Sequence, residues 1–143
     1  MVELPLHASV TIFAFLARLF VGGVLLVAGL AKLKMPSNWF LQAVFGYDLV
    51  PKRVAVVLAY GLPWVEVMLG GLLLVGLWSR LVALISIGLL LIFSGGMTFN
   101  LLRGKRNECG CLQTLTPVQW KLIYRNLLLI ALLLSVYTIY GVK

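Results

Sequence analysis

Two thiols one residue apart, Cys109-Gly110-Cys111, are the most pointed chemistry in this sequence. They are its only cysteines and lie in a polar stretch, Arg103 to Thr116, between two long apolar runs. Thiols this close meet only in a tight turn, which the intervening glycine permits. A bridge closed in so small a ring is strained and readily reduced, and it constrains the unfolded chain very little. The pattern therefore fits a working dithiol/disulfide. Lys105 and Arg106 favour the thiolate, as does Arg125 if it reaches, and Glu108 opposes it. Two other readings stay open. A pair of thiolates is half of a soft-metal site, but with His7 expected on the other face no third ligand is evident, and no metal is expected. A purely structural role is the third.

Charged and amide side chains inside the apolar runs come next. Arg18 stands fourteen residues before Lys32, and Glu66 fourteen residues after Lys52, about 21 Å of helix in each case. If Lys32 and Lys52 mark the same membrane face, antiparallel helices bring Arg18 and Glu66 to one depth. A lone charge there is expensive, so the expectation is a buried Arg18–Glu66 pair. The alternative makes Glu66 a proton-relay or ligand group. Pro63 lies on the same stripe as Glu66 and should kink its helix. Arg125 and Asn126, with Asn100 from the preceding run, are candidates for the floor of a polar vestibule beneath the cysteines. Otherwise Arg125 snorkels to the headgroups and Asn126 makes an ordinary interhelical hydrogen bond.

The elements that must position these groups follow from composition. The 143 residues are 62% hydrophobic and only 11% charged, too few polar residues to coat a soluble fold. Four apolar runs each approach or exceed the ~20 residues that cross a bilayer. The sequence thus predicts an all-α integral membrane protein, a single domain over 1–143, with helices at about 8–33, 52–77, 80–102 and 117–140. The first run is too long for a signal-peptide core and is expected to remain as a helix. Between helices 1 and 2, residues 37–50 are too short to span. With Trp39, Phe40, Phe45 and Tyr47 they suit a short interfacial helix. The last helix carries a start signal: Thr116 as N-cap, Pro117 at the first position and Gln119 closing a capping box.

The net charge of +8 lies at the ends of the runs, which points to lipid headgroups and not to nucleic acid. Eight cations (Lys32, Lys34, Lys52, Arg53, Arg103, Lys105, Arg106, Lys121) share the cysteine side, against Arg80 and Lys143 on the other. The positive-inside rule places the cysteine loop in the cytoplasm of a multi-pass inner-membrane protein.

Taken together, Arg18-Leu-Phe-Val-Gly22, Gly29-Leu-Ala-Lys32, Leu62-Pro63-Trp-Val-Glu66, Asn100-Leu-Leu-Arg103-Gly104, Glu108-Cys109-Gly110-Cys111 and Arg125-Asn126 resemble the DoxX-like membrane family, and within it the MauE (methylamine utilisation) branch. The family's usual Cys-Gly-Cys-Phe-Gly reads Cys109-Gly110-Cys111-Leu112-Gln113 here. The resemblance implies a redox-associated four-helix protein that helps an exported dehydrogenase subunit mature. Cys109 and Cys111 would be the exchanging pair, with Arg125 and Asn126 beneath them. Arg18 and Glu66 would be the buried polar pair. The implied partners are a thioredoxin-like or other dithiol protein and the bilayer. No flavin, haem or nucleotide signature is present, and a lipid-soluble quinone is the acceptor that the resemblance suggests. Disulfide formation belongs outside the cytoplasm, in tension with the charge count. Two rival functions remain: a non-catalytic subunit of a larger membrane complex, and a transporter of a soft ion or sulfur species.

Overall fold

The computed structural model describes residues 3–34, 50–103 and 120–141. These form α1 (Glu3–Lys34), α2 (Lys52–Val75), α3 (Ser79–Leu102) and α4 (Trp120–Gly141). All four are long and apolar enough to cross a membrane. The chain is an all-α bundle of membrane-spanning helices, as its composition requires. The interfacial helix expected between helices 1 and 2, and the capping box from Thr116 to Gln119, lie outside the described residues. Helix α1 begins earlier than the apolar run suggests. Pro5 sits in its first turn, where a missing N–H costs no intrahelical bond.

Each helix buries one stripe and turns the rest of its surface outward. On α1 the buried positions include Ala14, Arg18, Val21, Leu25, Ala28 and Lys32, alternating steps of four and three. On α2 they are Ala55, Ala59, Pro63, Glu66, Leu69, Gly70 and Leu73. Outward positions such as Phe13, Phe20, Val57, Met68, Ile92 and Leu128 are exposed and apolar, the surface that acyl chains cover. Helix α1 packs most closely on α2, and α3 on α4; α1 also meets α4, while α2 and α3 touch more sparsely.

Lipid gives no hydrophobic drive to helix pairing, so close backbone approach has to supply it. Gly70 faces the backbone of Gly22 and Leu26, and Gly29 faces Pro63 and Val67. A Cβ on Gly70 would lie 2.6 Å from the Leu26 nitrogen and 2.7 Å from the Gly22 oxygen. These contacts lock α1 and α2 in register. Helix α2 runs through Pro63 without interruption and stops at Gly76, whose φ of +88° suits glycine. Gly76 and Leu77 donate to the Leu72 carbonyl at 2.8 and 3.2 Å. The α2–α3 turn is thus Gly76-Leu77-Trp78, and Ser79 already belongs to α3.

Gly70→Ala is expected to destabilise the detergent-solubilised protein by about 1–3 kcal/mol through overpacking against backbone. Gly71 is one residue away and a Cβ there meets nothing within 4 Å. Gly71→Ala should be neutral or slightly stabilising, and thermal unfolding of the two variants compares them directly.

Candidate functional site

At the end of the bundle where α3 and α4 lead to the cysteine connection, charged and amide groups are buried together. The Lys32 ammonium donates to both oxygens of Glu66, at 2.7 Å to Oε1 and 2.6 Å to Oε2. The two side chains are 2% and 3% exposed, so water screens the pair very little. Lys32 also lies 5.4 Å from the centre of the Phe93 ring, a cation–π contact that ties α1 to α3 across the bundle.

Helix register sets what surrounds this pair. Arg18 of α1 lies against Tyr140 of α4. Fourteen residues on from Arg18 is Lys32, and fourteen back from Tyr140 is Asn126, so in antiparallel helices those two share a level. Met97 of α3 packs with Ile123 of α4, which puts Ser94 at the level of Asn126 as well. Lys32, Glu66, Ser94 and Asn126 thus form a polar layer with one member from each helix, and all four are buried.

Several polar atoms here have no partner among the described residues. Asn100 is 0% exposed, and neither its Oδ1 nor its Nδ2 makes a hydrogen bond. Asn126 Nδ2, Ser94 Oγ and Arg125 Nε are likewise buried and unpaired. Arg125 Nη2 donates to Asn126 Oδ1 at 3.4 Å, so Arg125 adds positive charge at this end of the bundle. An unmet buried donor or acceptor costs about 1–3 kcal/mol, so a row of them is hydrogen-bonding capacity left open to a polar group. The carboxamides offer both donors and acceptors. The layer as a whole can hold a proton or orient a polar molecule. Among the described residues, no group of three or more His, Cys, Asp or Glu could hold a metal ion.

The expected Arg18–Glu66 pair does not form. That expectation took Lys32 and Lys52 as marks of one level, but the glycine contacts slide α2 along α1 until Lys32 itself reaches Glu66. Arg18 instead lies beside Gly76, ten residues beyond Glu66 on α2, or about 15 Å along the helix. There its Nη1 donates to Ser79 Oγ at 3.5 Å. Pro63 is buried next to Glu66 on the same stripe and faces Gly29. Asn100, Arg125 and Asn126 lie at the cysteine end, while Cys109 and Cys111 fall outside the described residues. Sequence reasoning missed Lys32, which it counted as a loop cation, and Phe93. The signal for Lys32 was its place on the buried spacing of α1.

Apolar crossings around a small polar layer define a polytopic membrane protein with a buried ion pair near one end. Its family follows from sequence comparison. The chain belongs to the family described as methylamine utilisation protein MauE, which matches residues 10–139. It is 35% identical over 127 residues to the methylamine utilization protein MauE of Paracoccus denitrificans, an alignment covering 87% of this chain and 65% of that protein. It is 34% identical over 106 residues to the protein of the same name from Methylophilus methylotrophus, covering 73% of this chain and 55% of that one. The chain thus spans less than two thirds of the length of the curated relatives it matches. No solved structure matches it.

Removing one partner of a buried pair leaves an unmet charge, so Lys32→Met and Glu66→Leu should each cost about 3–5 kcal/mol. The double variant should recover most of that loss. In a double-mutant cycle the coupling energy should be large for Lys32 with Glu66 and near zero for Arg18→Met with Glu66→Leu. Denaturation of the purified variants in one detergent reads both.

Proposed function

We propose that this chain is a membrane accessory protein that supports maturation of a partner protein by thiol-disulfide exchange at Cys109 and Cys111. The observation that carries the reading is the polar layer's place, at the bundle end from which α3 leads toward the two cysteines. Membership of a methylamine utilisation family supports a role beside another protein, since the relatives are named for a pathway. In the exchange, a partner thiolate attacks the 109–111 disulfide and forms a mixed disulfide with one cysteine. The partner's second thiolate then attacks that bond and leaves with an intramolecular disulfide. Two electrons and two protons have moved to Cys109 and Cys111. A lipid-soluble quinone accepts both and becomes the quinol, which restores the starting bond. The partner class is a thioredoxin-like or other dithiol protein. Arg125 favours the thiolate form, and the Asn100 and Asn126 carboxamides orient what enters beneath the loop.

A second reading is a non-catalytic subunit of a larger membrane complex. It is favoured by a groove of about 410 Å³ on the outer face of α1, lined by Leu19, Phe20, Gly23, Val24 and Val27. Gly23 meets nothing there within 4 Å, which leaves room for another helix.

Cysteine variants separate the two. Under the exchange reading, Cys109→Ser and Cys111→Ser both insert normally. With no 109–111 bond to attack, neither forms the mixed disulfide that the parent makes with a partner lacking its second cysteine, and both lose partner maturation by about two orders of magnitude or more, as removal of a covalent nucleophile does. Partner maturation at the parental level in both variants would overturn the exchange and leave the subunit reading. Labelling of the parent by a membrane-impermeant maleimide in intact cells adds sidedness. The loop cations lead us to expect protection from the reagent.

A further inference from the structure

The opposite end of the bundle holds a second polar site that the thiol reading does not use. A cavity of about 610 Å³ lies between the α2–α3 turn and the last turns of α4, lined by Gly76, Trp78, Ser79, Arg80, Leu84 and Tyr140 among others. Arg80 Nη2 donates to Tyr137 Oη at 3.3 Å, and its guanidinium lies 4.8 Å from the centre of that ring. Arg80 remains exposed, with further N–H groups to give. Behind the wall is Arg18, only 9% exposed, against Gly76, Ser79 and the Tyr140 ring. Its Nε is buried without a hydrogen-bond partner among the described residues.

Of the chain's four acidic side chains, none is paired with Arg18 or Arg80 among the described residues. Glu66 is held by Lys32. Glu3 stands fifteen residues before Arg18 on α1, about 22 Å away. Two guanidiniums therefore flank one cavity with no carboxylate among the described residues to meet them. The shape of the cavity narrows the choice of anion. Its floor includes Leu81 and Leu84, which are 55% and 51% exposed on the outer face of α3, so it opens sideways to the acyl region. The occupant is charged at one end and greasy at the other.

We propose that this cavity seats an anionic phospholipid, with its phosphate on Arg80 and Tyr137, the Arg18 charge behind it, and its acyl chains along Leu81 and Leu84. Arginine and hydroxyl donors are the groups that bind phosphate oxygens most strongly. The site stands on its own geometry and is independent of the cysteine chemistry.

Trp78 lines the cavity and is 74% exposed, which makes it a reporter. In the full chain with Trp39, Trp64 and Trp120 replaced by Phe, reconstituted in phosphatidylcholine, Trp78 fluorescence is titrated with brominated phosphatidylglycerol or brominated phosphatidylcholine. Half-quenching is expected at about a tenfold lower mole fraction of the anionic lipid, because both headgroups carry a phosphate but only phosphatidylcholine adds a cation that the guanidiniums repel. Arg80→Gln and Tyr137→Phe should each erase most of that preference, and Arg53→Gln at the far end should leave it unchanged. Equal quenching by the two lipids would overturn the site, as would a loss with Arg53→Gln equal to that with Arg80→Gln. Relief of quenching by soluble glycerol 3-phosphate would overturn the lipid assignment in favour of a free phosphate ester. Retention of phosphatidylglycerol by the parent chain in native mass spectra, reduced in Arg80→Gln, provides a readout free of the tryptophan changes.

Discussion

Lys32 and Glu66 are charges that the apolar helices around them cannot solvate, so neither can be placed without the other. Their meeting fixes the rest. The ammonium reaches the carboxylate only when α1 and α2 slide to the register in which Gly29 faces Pro63 and Gly70 faces Gly22. Glycine contact and ion pair are therefore two expressions of one constraint, a close approach that brings a long cation to a short anion. In that register Arg18 lands beside Gly76, where a Cβ would collide with its guanidinium. The α2–α3 turn then needs glycine twice over, for its backbone and for the arginine seated on it.

The result is a bundle with two polar ends and a greasy middle. Between the levels of Arg18 and Lys32 the interior is filled by Val21, Leu25, Leu69, Leu73, Leu90, Leu129 and Leu133. Ser86 Oγ is the buried polar side-chain atom lying within that stretch among the described residues. The separation gives each end its own task. One end, from which α3 leads toward the two cysteines, is where we propose exchange with another protein's thiols. The other, with Arg18, Arg80, Tyr137 and Tyr140, is where we propose a bound phospholipid.

Much of this was legible in the sequence. Four apolar runs became four helices because a continuous apolar run of this length satisfies its own backbone groups in lipid as a helix, and their ends agree within a few residues except at Pro5. Asn100 and Asn126 stood out as amides in apolar runs, and both are buried at the cysteine end. The partner of Glu66 was not legible, because loop cations mark a helix end only loosely. Lys32 is both the last turn's cation and a member of the buried stripe, and only the packing of Gly22 and Gly29 decides between the two roles. The second polar site was hidden for a related reason. Arg18, Arg80 and Tyr137 come from three helices, and no spacing along the chain announces that they converge.

The register on which both ends depend is tested most directly by a distance across the α1–α2 interface. In protein labelled with ¹⁵N in its lysine and arginine side chains and ¹³C in its glutamate carboxylates, reconstituted in lipid, rotational-echo double resonance reports which cation sits on Glu66. A lysine-nitrogen coupling to the Glu66 carboxyl carbon at hydrogen-bonding separation, abolished by Lys32→Met, is the expected result. A coupling to arginine nitrogens that disappears with Arg18→Met would contradict the register and, with it, the placement of both polar ends.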